Sequence, residues 1–424
     1  MNNTELPIKS ENPSAAVVAG GEAAADAEPD GPPELKQRTA PGLLSRLNAR
    51  FGAAAYFKTA ESAETVMDRH GGAGPGFDTL RIVLAMLIMG FHGSQILHGR
   101  AAADFRQSNL FPVTLALVPL FFCLSGFLVT GSAMRTRSIK KFLTNRSLRI
   151  FPALTVEVFL CAVVLGPILT DLDLKSYFSE IKFYSYFGNI IGRVRMSLPG
   201  VFTDNPIPDT VNASLWTLQP EFYCYLLMTL LMFTALISNK KMISTVFIGI
   251  CLLLSVVNLQ HGIGTPTDVF PAHVIIFYFF CGIIAYQWRS RIRLNKLLFL
   301  LAAAASYFAI TTPGLVYLTA IPVTYVMVYL GLLNLPLIKP FSNGDYSYGI
   351  YLFNFPIQQS IMKIFPAMDN WWVLMSISIP ATLIFSAFSW HYIEKPALSL
   401  KNRKWSKNPG YIWLGGLLRP PGKN

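Results

Sequence analysis

Charge is what this chain has least of. Only 14% of its 424 residues are Asp, Glu, Lys or Arg, while 52% are hydrophobic, and so few charges do not cover a soluble surface of that size. A water-soluble globular fold is excluded, and an all-α polytopic bundle in a membrane is expected. Cysteine is sparse too. Cys123, Cys161, Cys224, Cys251 and Cys281 all fall inside apolar runs, with no CxxC pair and no metal-ligand spacing, so packing roles are expected rather than disulfides or a metal. The first residues lack a basic start followed by an apolar core, which argues against a cleavable signal peptide. A GxSxG elbow, an HExxH helix, a P-loop and a strand-flanked GxGxxG are also missing; "GGAGPG" precedes an apolar segment and reads as a hinge. Hydrolase, metalloprotease and nucleotide-hydrolysing chemistry therefore lose their signatures. With no internal repeat, an inverted-repeat transporter gains no support.

What is present is a series of apolar segments close to the roughly 20 residues that cross hydrocarbon. Ten are counted, at 78–98, 112–134, 150–170, 214–237, 242–259, 272–289, 296–312, 314–334, 346–364 and 371–392. Only Thr312 and Pro313 separate the seventh from the eighth, so nine is the alternative count. The net charge is +12, but in a membrane protein the location of Lys and Arg matters more than their sum. With the N-terminus in the cytoplasm, the loops and the C-terminal tail on that side hold twenty Lys and Arg, and the opposite side holds seven. That asymmetry fits an even number of spans with both termini cytoplasmic.

Residues 1–41 are biased to Ala, Glu, Asp, Pro and Gly and read as a disordered tail. In 42–76, Leu43, Leu47, Phe51 and Ala55 recur every four residues between arginines, which suits an amphipathic helix on the membrane surface or a linker. Residues 77–400 form the transmembrane domain and 401–424 a cytoplasmic tail. The one long outer loop, 171–212, mixes aromatic, basic and acidic residues with a Pro-rich end and suits a lid or a polar-acceptor site beside the membrane, or else an ordinary surface loop.

The chemistry sits in the spans. In "RIVLAMLIMGFH", Arg81 and His92 are eleven residues apart, about 16 Å along a helix with almost no rotation between them. Both face one way, and ionisable groups inside a membrane usually face a cavity or a partner. A snorkelling rim arginine and a histidine bonded to a neighbouring helix are the structural readings. In "SLWTLQPEFYCYLL", Glu221 lies inside the fourth span, where a lone carboxylate is costly; pairing with His92 would orient the imidazole for proton transfer. Glu157 is expected to pair with one of the loop arginines. Arg146 and Arg149 in "KFLTNRSLRIFPAL" are three apart on one helical face at the mouth of the third span, and two guanidiniums there suit a phosphate or pyrophosphate. The alternative for them is topology signal and attraction to lipid headgroups.

Taken in order, "RIVLAMLIMGFH", "FFCLSGFLVTGS", "KFLTNRSLRIFPAL", "SLWTLQPEFYCYLL", "GDYSYGIYLFNFPIQQ" and "HYIEKPALSLKN" resemble the acyltransferase 3 family of multi-span membrane acyltransferases over about residues 77–400. The resemblance implies O-acylation, often acetylation, of a glycan or lipid-linked sugar of the bacterial envelope at the inner membrane. The donor is a cytosolic acyl-CoA, commonly acetyl-CoA, and no cofactor is held permanently. It further implies His92 as the catalytic histidine, with Arg81 as its motif partner and Glu221 as the acidic residue of the fourth-span motif. Arg146 and Arg149 then bind the donor. The implied partners are the bilayer, the donor, the acceptor and envelope polysaccharide assembly proteins, with no nucleic acid. Many members carry histidine where Asn354 stands, so a second proton-transfer group is not expected here. Nor is the additional hydrolase-like domain of some members. General-base and acyl-enzyme routes both remain open. A transporter or flippase using the same residues as a proton relay is the alternative, and an assembly subunit is a third.

Overall fold

The computed structural model describes residues 60–99, 107–261, 270–312, 314–335 and 344–402. The tail expected at 1–41, the stretch 42–59 and residues 403–424 lie outside these. All ten expected segments are helical: α1 (Phe77–His98), α2 (Phe111–Thr136), α3 (Ile139–Phe159), α4 (Leu218–Phe233), α5 (Lys240–His261), α6 (Ala272–Gln287), α7 (Lys296–Ala309), α8 (Val316–Leu332), α9 (Ser347–Ile364) and α10 (Trp371–Phe388). No strand occurs among the described residues. By length and composition five helices suffice to cross a membrane: α1, α2, α3 with its continuation to Leu169, α5 over Lys240–Asn258, and α10 with its continuation to Ser399. The helices α7 and α8 are separate, because the chain reverses at Thr312 and Gly314, the latter in the left-handed region that favours glycine.

Local sequence explains where the helices depart from regularity. The continuation of α3 is a π-helical turn, Leu160–Leu165, immediately before Gly166–Leu169; Pro167 there has no N–H with which to extend the α ladder. In α9, Pro356 likewise leaves the Leu352 carbonyl without its helical donor. Asn212 fills that gap, its Nδ2 donating to Leu352 O at 2.9 Å. Close helix contact follows from small residues. Gly126 of α2 abuts the Phe279 carbonyl of α6, and Gly282 of α6 abuts that of Cys123, so any Cβ there would strike backbone. All five cysteines are free and buried in this packing.

Two segments differ from expectation. Of the 42–76 stretch, residues 60–76 are docked rather than linking. A short helix capped by Ser62 (Ala63–Arg69) bonds to the turn between α6 and α7 through Ala63 N–H to Ile292 O and Leu294 N–H to Glu61 O, both 2.9 Å. The glycine-rich "hinge" ends with Gly76 N–H bonded to Gly331 O of α8 at 3.1 Å, and the Phe77 ring lies on Gly331. Small glycines permit this close packing.

The long loop is packed as well. Short helices at Leu174–Ser179 and Ile181–Tyr186 and a 3-10 turn at Phe187–Ile191 fold back along α3. Tyr177 donates to Ala162 O at 2.7 Å, the Phe187 ring meets Phe159 edge-on, and Gly192 sits on Phe222 of α4. Its last part is sewn to α9: Gln359 Nε2 donates to Ile207 O and Thr210 O, and Asn205 Nδ2 donates to Gln359 Oε1, all at 2.7 to 2.8 Å. Irregular backbone is tolerated beside spanning helices when its polar groups are satisfied in this way.

Candidate active site

The helix α3 begins at Ile139, capped by Ser138, eleven residues earlier than the apolar pattern suggests. Arg146 and Arg149 therefore lie within the helix, about two and three turns from its start. They do different things. The Arg149 guanidinium spans two carboxylates, with Nη2 2.7 Å from Asp345 Oδ2 and Nη1 3.0 Å from Glu394 Oε2. Its plane also faces the Tyr348 ring at 5.6 Å. Ser347 and Ser389 donate to the remaining oxygens of those two acids. Arg81 Nη1 joins from α1, 2.9 Å from Asp78 Oδ1 and 3.6 Å from Asp345 Oδ2. Burial pushes the Asp345 carboxyl up, but the Arg149 and Arg81 guanidiniums outweigh it and hold the group at about 2. Arg146 makes no ion pair among the described residues, and its Nε is buried without a hydrogen-bond partner.

Arg81, Arg146 and Arg149 line one cavity of about 110 Å³, together with Glu221, Tyr225, Tyr348 and Tyr351. Glu221 accepts from Tyr225 at 2.5 Å and does not orient His92, contrary to the sequence expectation. The reason is the sewn segment before α4. It places Trp216 at the histidine's level, and Glu221, five residues further, falls about 7 Å beyond, beside the arginines. Glu157 is also reassigned. It lies eight residues past Arg149, wholly buried, and accepts from Asn212 Nδ2 at 2.8 Å and Cys161 Sγ at 3.2 Å rather than from a loop arginine.

His92 is held by Asn354. Asn354 Nδ2 donates to Ile350 O at 2.8 Å and Tyr351 O at 2.7 Å, so Oδ1 is the acceptor, and it stands 3.1 Å from His92 Nδ1. That arrangement puts the imidazole proton on Nδ1 and makes Nε2 the basic nitrogen. Phe355 packs edge-on against the ring at 5.2 Å. One turn along, Gln358 Nε2 donates to Met89 O at 3.1 Å, locking α9 to α1. His92 lines a second cavity, about 480 Å³, with Gln95, Thr114, Met196, Trp216, Phe270 and Phe355 among its walls. Ile88 and Val118 line both cavities. The imidazole thus faces a space adjoining the one that holds the guanidiniums.

The sequence pattern of the family described as "Acyltransferase domain" matches residues 75–391, about three quarters of the chain, and so takes in both cavities. The chain belongs to the acyltransferase 3 family. It is 28% identical over 352 residues to a protein of Shigella phage Sf6 named "O-acetyl transferase", covering 78% of this chain and 98% of that one. It is also 28% identical over 352 residues to "Nodulation protein 10" of Rhizobium leguminosarum bv. viciae, covering 77% and 93%. No solved structure matches it. This acyltransferase transfers an acyl group other than an amino-acyl group. Three members of its polar network were missed in the sequence: Asp345, Glu394 and Asn354 as the partner of His92. Each lies in a stretch that carries the family resemblance, "GDYSYG", "HYIEKP" and "YLFNFP", but spacing alone does not pair residues some 200 to 260 positions apart.

Proposed function

We propose that this acyltransferase moves an acetyl group from cytosolic acetyl-CoA to a sugar hydroxyl of a bacterial envelope glycan or lipid-linked sugar. In this reading ten helices cross the inner membrane with both termini in the cytoplasm. One observation carries the proposal: the cavity of guanidiniums and the cavity of the imidazole adjoin along one face of α1. A polyanionic donor needs cations at its end of the path, and an alcohol acceptor needs a base at the other. The relative named "O-acetyl transferase" supports acetyl as the group.

At about 110 Å³ the arginine cavity is well below the few hundred Å³ of a whole-ligand site. It suits a phosphate and the slender thiol arm, with the nucleotide remaining at its mouth. Arg146 grips that phosphate. Arg149 is held by its two acids and shapes the cavity, and Arg81 supplies a further positive charge. The thioester reaches past Ile88 to the His92 cavity, whose Trp216 and Phe270 suit a sugar face. His92 Nε2 takes the acceptor's hydroxyl proton as the oxygen bonds to the thioester carbonyl carbon. The C–S bond then breaks, and the thiolate takes the proton back from the imidazolium, leaving ester and free CoA. Asn354 keeps the ring in the required tautomer throughout. Glu221, bonded to Tyr225, balances the guanidiniums.

The test is thiol release from acetyl-CoA by the purified full chain with envelope glycan as acceptor, alongside mass spectrometry of the product. Acetyl ester formed together with stoichiometric CoA supports the proposal. Acceptor movement without thiol release would favour a transporter.

A further inference from the structure

We infer that Ile88 and Val118 form a neck that sets the cross-section of the acyl group transferred, admitting unbranched groups and opposing branched ones. The inference rests on the acyl-transfer reading above. On α1, Arg81, Ile88 and His92 fall at relative positions 0, 7 and 11, a single stripe at helical spacing. Whatever travels along α1 from the guanidinium to the imidazole passes the Ile88 side chain. Val118 of α2 lines the same two cavities, and among the described residues it and Ile88 are the only ones shared by both linings. Both are β-branched and so stiff at χ1. Ile88 is only 3% exposed and packs within the main core of the bundle, where close packing on the sides away from the cavities resists its displacement. The space beyond is roomy, about 480 Å³. Selection therefore falls at the neck and acts on width, because a linear chain threads where the donor's own arm threads, whereas a methyl branch beside the carbonyl does not.

The neck has a second consequence. A protein with cavities approaching from two sides needs a barrier between them, and a constriction of two aliphatic side chains stays dry until the donor arm fills it.

The experiment uses the full chain in detergent with acetyl-, butyryl- and isobutyryl-CoA, comparing kcat/KM for wild type, Ile88→Ala, Val118→Ala and Ile88→Trp. Wild type is expected to use acetyl- and butyryl-CoA and to discriminate against isobutyryl-CoA. Either alanine variant is expected to raise the isobutyryl-to-acetyl ratio about tenfold or more, the usual worth of one or two methyl-sized contacts in a pocket. Ile88→Trp, with folding checked by its melting temperature, is expected to block transfer from all three donors, because the indole fills the space through which the donor arm passes. An unchanged ratio in a folded alanine variant overturns the neck, as does a tryptophan variant that transfers like wild type. Absence of thiol release from acetyl-CoA by wild type itself overturns the acyl-transfer reading, and the neck with it.

Discussion

His92 Nδ1 and Asn354 Oδ1 stand 3.1 Å apart, and the two carbonyl bonds made by the Asn354 amide leave that oxygen no role but acceptor. A histidine is thereby given a defined tautomer by a residue that itself exchanges no proton. Asn354→Leu is expected to lower kcat about tenfold, the worth of one such hydrogen bond. KM should change little, and the pH profile of kcat should be altered. Asn354→Asp, which still accepts from Nδ1–H, should restore most of the rate. A leucine variant with wild-type kcat and profile would show that the contact is packing only.

The two arginines of α3 should separate in their effects. Arg146 has no ion pair among the described residues, whereas Arg149 is committed to two. Arg146→Ala is expected to raise KM for acetyl-CoA about tenfold or more, as loss of a charge-assisted hydrogen bond does, with the melting temperature nearly unchanged. Saturation kinetics and a melting curve on one preparation check both halves.

Loss of the ion network should be felt as instability. Glu394 is 1% exposed and Arg149 20% exposed; removing Glu394 leaves Arg149 only Asp345 as partner, so its loss costs up to about 3–5 kcal/mol. Glu394→Ala should therefore unfold at markedly lower denaturant. Arg149→Lys should follow it, because a single ammonium does not span Asp345 and Glu394 as the guanidinium fork does.

Asp345 adds a pH dependence with a definite sign. Its carboxyl is held at about 2 in the fold, below the ordinary value of roughly 3.9 for an unfolded chain. The stabilisation it contributes is fully present above about pH 4 and is lost as pH falls towards 2. Melting temperatures between pH 2 and 6 should show this loss in wild type. Asp345→Asn, which has no carboxyl to titrate, should show less of it.

Much of the fold was legible because the apolar runs are long and the chain must satisfy its backbone internally. Every expected segment is a helix, and the split at Thr312 is real. Boundaries were less legible. The start of α3 lies eleven residues before the apolar run because Ser138 caps a polar first half, which hydropathy does not register. In the candidate site, Arg81 and His92 were legible since one helix carries both and helical geometry relates them. The partner of His92 was not. Glu221 was the buried charge expected to pair with it, but the segment leading into α4 is sewn to α9, which moves Glu221 down to the arginines and leaves Asn354, an uncharged residue, beside the ring. The Asn212 bond to Leu352 depends on a proline in another helix and on a loop that returns to it, a relationship no local pattern carries.

The role of His92 is tested most directly by acetyl-CoA turnover with the His92→Ala variant, purified at the same yield and melting temperature as wild type, measured as thiol released per minute with acceptor present. A base worth about 10²- to 10⁴-fold predicts turnover lower by at least two orders of magnitude, with CoA binding at the arginines retained. Thiol release at the wild-type rate from the folded alanine variant would contradict it.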